Sequence, residues 1–238
     1  MKGLLRLDRI LANMSYGTRN EIKKLIKKGL VKVNGAVEKD PARKVHPRES
    51  RIEINGELVD YHEFTYVMLN KPAGYISATE DVREQTVLEL LSAEYQALEL
   101  FPVGRLDKDT EGLLILTNDG KLGHHVTSPK NKVPKTYYAL VQGKVGEADG
   151  TAFSQGIVLE DGYKTLPAEL TILKPADRSE IELVVYEGKF HQVKRMFQAR
   201  GKEVLYLKRI KIGRLGLDER LAPGQYRELT GEELALIL

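Results

Sequence analysis

The stretch "GRLDKDTEGLLILTNDG", Gly104 to Gly120, places an acidic turn directly before a short apolar run. The run from Leu113 to Leu116 has the length and composition of a strand buried on both faces. Asp107 belongs to the turn that precedes this strand, so its carboxylate is a candidate for chemistry. An acidic turn that only feeds a core strand is the alternative.

The first half of the same turn matches a calcium-binding loop. Asp107, Asp109 and Glu111 fall at the first, third and fifth positions of that template, followed by Gly112 at the sixth. The twelfth position requires a bidentate Glu and is Asn118 here. The flanking segments "LFPVG" and "DGKLGHH" are not expected to form the two helices of such a site, so the sequence predicts no calcium loop.

Composition is that of an ordinary globular protein of one or two domains, with 238 residues, 42% of them hydrophobic and 30% charged. There is no cysteine, which excludes disulfides and thiolate metal sites and fits a cytoplasmic protein. No apolar stretch is long enough to span a bilayer. The adjacent His124 and His125 would point apart on a regular element and have no evident third ligand, so no metal is expected.

Charge is distributed unevenly along the chain. Residues 1–60 contain 14 Lys and Arg against 8 Asp and Glu, and the remaining 23 basic and 26 acidic residues complete the totals of 37 and 34. The net charges are therefore +6 and −3. A basic head on a mildly acidic body suggests a module that binds a polyanion. The pattern changes near residues 60–65, so we predict domains 1–60 and 61–238.

Two helices and two hairpins are predicted in the head. "LDRILANM" forms one helix, and "TRNEIKKLIKKG" forms another with Thr18 as N-cap, Glu21 as its capping-box partner and Gly29 at its end. "LVKVNGAVEKD" and "RIEINGELV" each contain an Asn-Gly pair between strand-like residues and predict hairpins. The basic helix surface and the following "VKVNG" resemble the RNA-binding domain of ribosomal protein S-four over residues 4–50. By that resemblance, the residues expected to contact RNA phosphates are Arg6, Arg9, Arg19, Lys23 and Lys27.

The body is predicted to be rich in strands. "YVMLNKPAGYISAT" suggests a strand, a Pro-Gly turn and a second strand, and the later strand-like runs are "LLILT", "KTYYALVQG", "AELTIL", "EIELVVYEG" and "RIKIGRLGL". "TVLELLSA" and "HQVKRMFQARG" suggest helices. The sequence therefore predicts an α+β fold, with a small basic α+β RNA-binding domain followed by a domain with a mixed, largely antiparallel sheet.

Three separated stretches of the body carry the polar residues that could form a site. They are "NKPAG" at 70–74, "GRLDKDTEG" at 104–112 and "EGKFHQVKRMF" at 187–197. If the fold brings Lys194 to Asp107, the cation would keep that carboxylate ionised despite burial, as a nucleophile or base requires. A purely structural ion pair would have the same sequence signature.

Taken together, these stretches resemble the RsuA branch of the pseudouridine synthases. "GRLDKDTEGLLILTNDG" is similar to the active-site motif of that branch, and "NKPAG", "KTYYALV", "EGKFHQVKRMF" and "LAPGQYRELTGEE" are similar to its other signatures, in the same order. The resemblance implies isomerisation of a uridine in RNA to pseudouridine. No atom is gained or lost in that reaction, so it implies neither cofactor nor metal.

The resemblance also assigns residues. Asp107 matches the family's nucleophile, Tyr137 its active-site tyrosine and Lys194 the basic partner of the Asp, while Asp109 is expected only to stabilise the turn. Arg105 would fill the place of a flipped-out base or clamp the backbone, with a surface ion pair as its alternative. Further candidates for phosphate contact are Lys71, Arg195 and Arg209. His191 is expected to have an RNA-binding or structural role.

The substrate and the competing functions stay open at this point. The signatures are closer to the enzymes of small-subunit (16S) ribosomal RNA than to those of large-subunit (23S) RNA, and we expect a monomer acting on ribosomal RNA or on a small-subunit precursor particle. The same chemistry on large-subunit RNA is one alternative. A catalytically silent RNA-binding assembly factor and a calcium-binding protein are the others.

Overall fold

The computed structural model describes residues 4–14, 16–47 and 49–237. It divides into two compact units, one comprising Met1–Thr65 with Leu91–Leu100 and the other Tyr66–Leu90 with Phe101–Leu238. The division of labour between residues 1–60 for RNA binding and 61–238 for catalysis stays a prediction.

Short helices and short strands make up the first unit. Its elements are β1 (Leu5–Arg6), α1 (Leu7–Asn13), α2 (Arg19–Lys27), β2 (Val31–Val33), β3 (Ala36–Glu38), β4 (Lys44–Val45), β5 (Ile52–Ile54), β6 (Glu57–Leu58) and α3 (Ala93–Gln96). The antiparallel sheet has the order β3-β2-β5-β6, and β1 pairs with β4.

Helix α2 begins and ends as predicted. The Glu21 amide donates to the Thr18 hydroxyl, and the Thr18 amide donates to the Glu21 carboxylate at 2.8 Å, which completes a capping box. Gly29, at φ +78°, follows the end of the helix in the left-handed conformation. Ile22 and Ile26 are fully buried and anchor the apolar face of the helix in the core of this unit.

Both predicted hairpins of the first unit turn on their Asn-Gly pairs. The φ values are +52° and +84° at Asn34 and Gly35, and +52° and +87° at Asn55 and Gly56. Two consecutive left-handed residues are what a type I′ hairpin turn requires. The alternating residues of β2 and β5 then point inward, and the core they form with the two helices contains Leu7, Ile10, Leu11, Ile22, Ile26, Val31, Val33, Ile52 and Ile54.

The second unit is organised around one large sheet. Its elements are β7 (Tyr66–Lys71), β8 (Phe101–Pro102), β9 (Glu111–Thr117), α4 (Gly120–Thr127), β10 (Lys135–Gln142), α5 (Glu147–Gln155), β11 (Glu169–Lys174), β12 (Arg178–Val185), α6 (Gln192–Gln198), β13 (Glu203–Ile212), β14 (Leu215–Gly216), β15 (Tyr226–Glu228) and α7 (Gly231–Ala235). The strand order is β11-β12-β10-β13-β9-β7-β15, with β14 beside β13 and β8 beside β9.

The sheet is mixed and largely antiparallel, as predicted. Among the paired strands described, only β9 and β13 run parallel, in the register Lys208 to Glu111 and Arg209 to Gly112. We call this pairing the β9–β13 seam. Strand β9 is buried on both faces from Gly112 to Thr117, which explains its continuous apolar run. The strands β11, β12, β10 and β13 lie on one side of the seam, and β9, β7 and β15 lie on the other.

Two segments of the body differ from the predictions. After the Pro-Gly turn, the predicted second strand is reduced to a single bridge between Ile76 and Thr86. The run "TVLELLSA" forms only a 3-10 turn at Val87–Leu90, because Glu89 hydrogen bonds back three residues to Thr86, and the separate helix α3 then starts at Ala93.

The segment "DGKLGHH", which we did not expect to be helical, forms α4. Asp119 caps this helix by accepting hydrogen bonds from the amides of Lys121 and Leu122 at 2.8 and 3.2 Å. Gly123 is required by packing, because a Cβ atom there would lie 2.9 Å from the Phe101 ring. The sequence did not predict helix α5 either.

Candidate active site

Asp107 lies in the loop between β8 and β9, and buried hydrogen bonds fix the residues beside it. The Ser77 hydroxyl accepts from the Leu106 amide at 3.0 Å and donates to the Leu106 carbonyl at 3.1 Å. The Asp107 carbonyl accepts from the Thr110 amide at 3.0 Å, which closes the turn. The Asp107 side chain stays 26% exposed. The loop therefore holds a carboxylate at the boundary between solvent and interior.

Lys71 braces the same loop from inside the protein. Its side chain is fully buried, and its ammonium group donates to the carbonyls of Pro72, Lys108 and Thr110 at 3.0, 3.3 and 2.8 Å. Burial lowers the pKa of Lys71 to about 8. The predicted contact of Lys71 with an RNA phosphate does not fit this environment, because the ammonium is closed off from solvent and already used by the loop.

Lys194 reaches Asp107, as predicted, but it binds a second carboxylate more closely. Its ammonium nitrogen lies 3.5 Å from Oδ2 of Asp107 and 2.5 Å from Oδ1 of Asp109. Burial raises the pKa of Asp109, but the hydrogen bond and the charge of Lys194 outweigh it, so the pKa lies below its ordinary value. Asp109 was expected to stabilise the turn, and its side chain in addition shares the cation with Asp107.

His191 is a further neighbour of Asp107. Its Nε2 lies 3.6 Å from Oδ1 of the carboxylate, and its backbone has φ +48° and ψ +32° at the start of α6. This left-handed turn is held by Gln192, whose side-chain oxygen accepts from the Lys189 amide at 2.9 Å. The Arg195 amide donates to the His191 carbonyl at 2.9 Å, so the helix begins immediately after His191 and carries Lys194 one turn further on.

Glu187 anchors the segment that leads into this helix. Its buried carboxylate accepts from the Tyr163 hydroxyl at 2.6 Å, the Leu166 amide at 2.9 Å and the Gln192 side-chain amide at 3.2 Å. A carboxylate with three donors has a fixed orientation. Residues 187–192 are therefore held from both ends, which positions His191 and Lys194 relative to Asp107.

A cavity of about 490 Å³ opens beside these residues. Its lining includes Arg105, Asp107, Tyr137, Phe190, His191 and Arg209. Tyr137 lies on β10 and packs partly against the core around Phe153 and Phe197. The next residue, Tyr138, behaves as an ordinary strand tyrosine, with its hydroxyl donating to Glu180 at 3.0 Å.

Two buried cations also line the cavity. Lys135 donates to the Val126 carbonyl at 2.7 Å, and burial together with the charge of Arg209 lowers its pKa to about 8. Arg209 is 3% exposed and donates through Nε to the Leu113 carbonyl at 2.8 Å. Arg209 is buried but lines the cavity, so its contact with a phosphate stays a prediction. Its guanidinium gives the inner wall of the cavity a positive charge.

The remaining predicted cations are placed differently. Arg105 is exposed and forms no ion pair within the described chain, so the alternative of a salt bridge to Asp109 or Glu111 is not what the structure has. Arg195 contacts Glu160 at 3.2 Å and Asp161 at 2.5 Å, which occupies its guanidinium.

In the first unit, the predicted RNA-contacting side chains lie mostly at the surface. Arg6 is paired with Asp8 at 2.7 Å. Arg9, Arg19 and Lys27 are exposed. Lys23 is half-buried. Three of the five cations are thus freely accessible on this unit.

Neither a metal cluster nor a membrane-spanning helix is present in the described residues. No group of three or more His, Cys, Asp or Glu side chains there could hold a metal ion. No helix in the ranges described has both the length and the apolar character needed to cross a membrane.

The sequence and the fold match those of known proteins. The family model described as RNA pseudouridylate synthase matches residues 65–199, which is more than half of the chain. The chain belongs to the RNA pseudouridine synthase family. The model of the S4 domain matches residues 5–50 of the synthase, which confirms the resemblance found in its basic head.

Full-length relatives of the synthase agree with this assignment. An uncharacterized RNA pseudouridine synthase of Bacillus subtilis is 50% identical over 234 residues, which cover 98% of each chain. The ribosomal small subunit pseudouridine synthase A of Vibrio vulnificus is 42% identical over 231 residues, covering 97% of this chain and 98% of the relative. A crystal structure of a pseudouridylate synthase superimposes with a TM-score of 0.69 at 38% identity and covers 98% of this chain and 100% of that one. The synthase is thus an isomerase that acts on RNA.

Proposed function

We propose that this synthase isomerises one uridine of small-subunit ribosomal RNA, with Asp107 as the group that starts the reaction. The observation that carries the proposal is the place of the Asp107 carboxylate, which is partly exposed at a cavity also lined by Tyr137 and lies 3.5 Å from Lys194. The Vibrio vulnificus relative, whose name specifies the small ribosomal subunit, supports the choice of RNA.

The proposed reaction breaks the N1–C1′ bond of the uridine and joins C5 of the same base to C1′. Breaking a glycosidic bond develops positive charge on the sugar, which a carboxylate can stabilise or capture. Asp107 therefore either attacks C1′ or removes the proton from C2′, and both routes need its charged form. The Lys194 ammonium lies 3.5 Å from this carboxylate and faces the place where the reaction begins. The detached uracil completes the reaction itself, so no water is consumed.

Tyr137 is proposed to hold the detached base while it turns. Its ring lines the cavity, whereas the hydroxyl of the neighbouring Tyr138 is engaged with Glu180. A flat ring against the uracil face would allow the base to rotate in its own plane. C5 loses a proton and N1 gains one before the product is released, so no proton is lost overall, and the Tyr137 hydroxyl is a candidate to relay the proton by accepting one and donating its own.

The target nucleotide has to leave its stack to reach Asp107. A cavity of about 490 Å³ is large enough for one nucleoside but not for a duplex. Extrusion costs a few kcal/mol, which contacts elsewhere have to offset. Arg105 is exposed at the cavity and is proposed to fill the vacated place or to clamp the backbone. Phosphate contacts by Arg9, Arg19 and Lys27 are proposed to contribute sequence-independent affinity.

Pseudouridine mapping of ribosomal RNA tests the proposal directly. RNA is taken from cells that carry the wild-type protein, Asp107→Asn or Asp177→Asn. Asp177 is a carboxylate outside the cavity, so its substitution serves as a matched control. We expect Asp107→Asn alone to abolish one pseudouridine of the small-subunit RNA. Loss of a large-subunit site instead would correct the substrate, and an unchanged map at every site would refute the role of Asp107.

A further inference from the structure

Phe190 is an exposed aromatic residue at the active-site cavity. Its side chain is 75% exposed, although a phenylalanine is usually among the most buried residues. One face of its ring is covered by the His191 imidazole, with ring centroids 3.7 Å apart and planes inclined by 17°. The rest of the side chain is largely open to solvent.

The backbone that carries the exposed ring is held by hydrogen bonds, and the ring itself stacks on His191. The backbone turn at His191 is fixed by the hydrogen bonds of Gln192, and the Phe190 carbonyl accepts from Arg195 Nη1 at 3.4 Å. His191, against which the ring stacks, lies 3.6 Å from Asp107. Phe190 thus presents a flat apolar ring beside His191, which in turn lies next to the Asp107 carboxylate.

Two cations line the same cavity as Phe190. Lys189 is exposed, and its ammonium lies 4.6 Å from the centre of the Tyr163 ring. Arg105 is exposed on the same cavity. An aromatic face accompanied by positive charges is the combination by which proteins bind unpaired nucleic acid, since bases stack on the ring and phosphates bind the cations.

We propose that the exposed ring of Phe190 stacks on the unpaired base next to the flipped uridine in the RNA chain. This inference rests on the proposed function, because it assumes that a uridine occupies the cavity beside Asp107. The stacked pair of Phe190 and His191 then forms a binding subsite for the neighbouring base. Its chemical preference is for any nucleobase with an accessible π-face, so it contributes affinity and orientation rather than sequence selection.

Fluorescence gives a direct test of this contact. The chain contains no tryptophan, so Phe190→Trp introduces a single reporter. Val82→Trp is the control, because Val82 is 99% exposed and lies outside the cavity lining. A short single-stranded RNA containing uridine should quench the emission at position 190 and leave that at position 82 nearly unchanged. Equal responses at both positions, or none at position 190 when the RNA is bound, would overturn the proposal.

Kinetics on synthetic RNA covering the mapped uridine gives a second test. Loss of one stacked base should lower kcat/KM of Phe190→Leu by about 5- to 140-fold, and Phe190→Tyr, which keeps the ring, should recover most of the loss. Removing the base on one side of the target uridine should lower kcat/KM of the wild type similarly, but should have little further effect on Phe190→Leu. Independent, multiplying effects would overturn the proposal.

Failure of the two proposals can be told apart. If the wild type forms no pseudouridine in any ribosomal RNA, the proposed function is wrong whatever Phe190 does. If the wild type is active but Phe190→Leu matches it in kcat/KM, the stacking subsite alone is refuted. An unchanged melting temperature of Phe190→Leu is expected from its exposure and separates a binding defect from misfolding.

Discussion

Gly112 is a position at which a single added methyl group should strongly lower the stability of the fold. It lies in β9 at φ +100° and pairs with Arg209 across the β9–β13 seam. A Cβ atom there would lie 2.2 Å from the Arg209 carbonyl oxygen and 2.9 Å from its amide nitrogen. Neither backbone atom can move without opening the parallel pairing, so Gly112→Ala has to separate the strands or distort them.

The expected cost follows from two contributions. A non-glycine residue in a sparsely populated backbone region costs about 1–3 kcal/mol. Forcing an extra carbon into a closely packed site costs about 1–3 kcal/mol more. The sum of about 2–6 kcal/mol is a large part of the total stability of about 5–15 kcal/mol of a typical protein. For a protein of this size, the melting temperature should fall by at least ~4 °C.

The loss of unfolding free energy can be measured by urea unfolding monitored with circular dichroism. Gly120→Ala is the matched control, because a methyl group at Gly120 would meet no atom within 4 Å and the residue starts helix α4, where alanine is favourable. The control should be as stable as the wild type or slightly more stable. A loss of less than about 1 kcal/mol for Gly112→Ala would contradict the argument that the seam depends on this close approach.

Three further substitutions test the N-cap of helix α2, the cation beside Asp107 and the loss of stability at low pH. Thr18→Ala removes the capping box with Glu21 and should cost about 1 kcal/mol in urea unfolding, whereas unchanged stability would mean that the cap is dispensable. Lys194→Met should lower turnover at least ~10-fold in a pseudouridine assay. The free energy of unfolding should change by less than about 1 kcal/mol, because Asp109, its ion-pair partner, is 72% exposed. Unchanged turnover would refute an electrostatic role of Lys194. The hydrogen bond from Arg227 lowers the pKa of Glu233 from 4.5 to about 2. The charged Glu233 therefore contributes its full stabilisation of the folded state above pH 4.5, and this contribution is lost as the pH falls toward 2. The stability difference between wild type and Glu233→Gln should shrink over that range, and a difference independent of pH would contradict it.

Features that depend only on residues close together in the sequence could be predicted from it. The Thr18 and Glu21 capping box and the Asn-Gly turns at Asn34 and Asn55 are local, because each motif satisfies its own backbone within a few residues. Helix α4 was missed since its glycines and histidines have poor helix propensity. The signal that could have found it is Asp119, a strong N-cap residue directly before the segment.

The arrangement of the site could be predicted only in part. The approach of Lys194 to Asp107 is confirmed as geometry, yet its shorter contact with Asp109 depends on tertiary distances that no spacing encodes. No sequence pattern indicates the role of Ser77, because that role depends on hydrogen bonds to a loop that is distant in the chain. In the sequence, Gly112 matches the glycine of a calcium-loop template. In the structure, a glycine is required there because the backbone of Arg209 approaches closely from another strand.

The β9–β13 seam also has a consequence for the order of folding. Leu113 and Arg209, which are hydrogen-bonded across it, are 96 residues apart in the chain. Closing such a long loop is entropically costly and slow relative to forming the hairpins on either side. Asp107 comes from one side of the seam, and Tyr137 and Lys194 come from the other. In a newly made chain, the three side chains of the proposed site are therefore brought together only when the strands on the two sides of the seam pair, which makes this site a late product of folding.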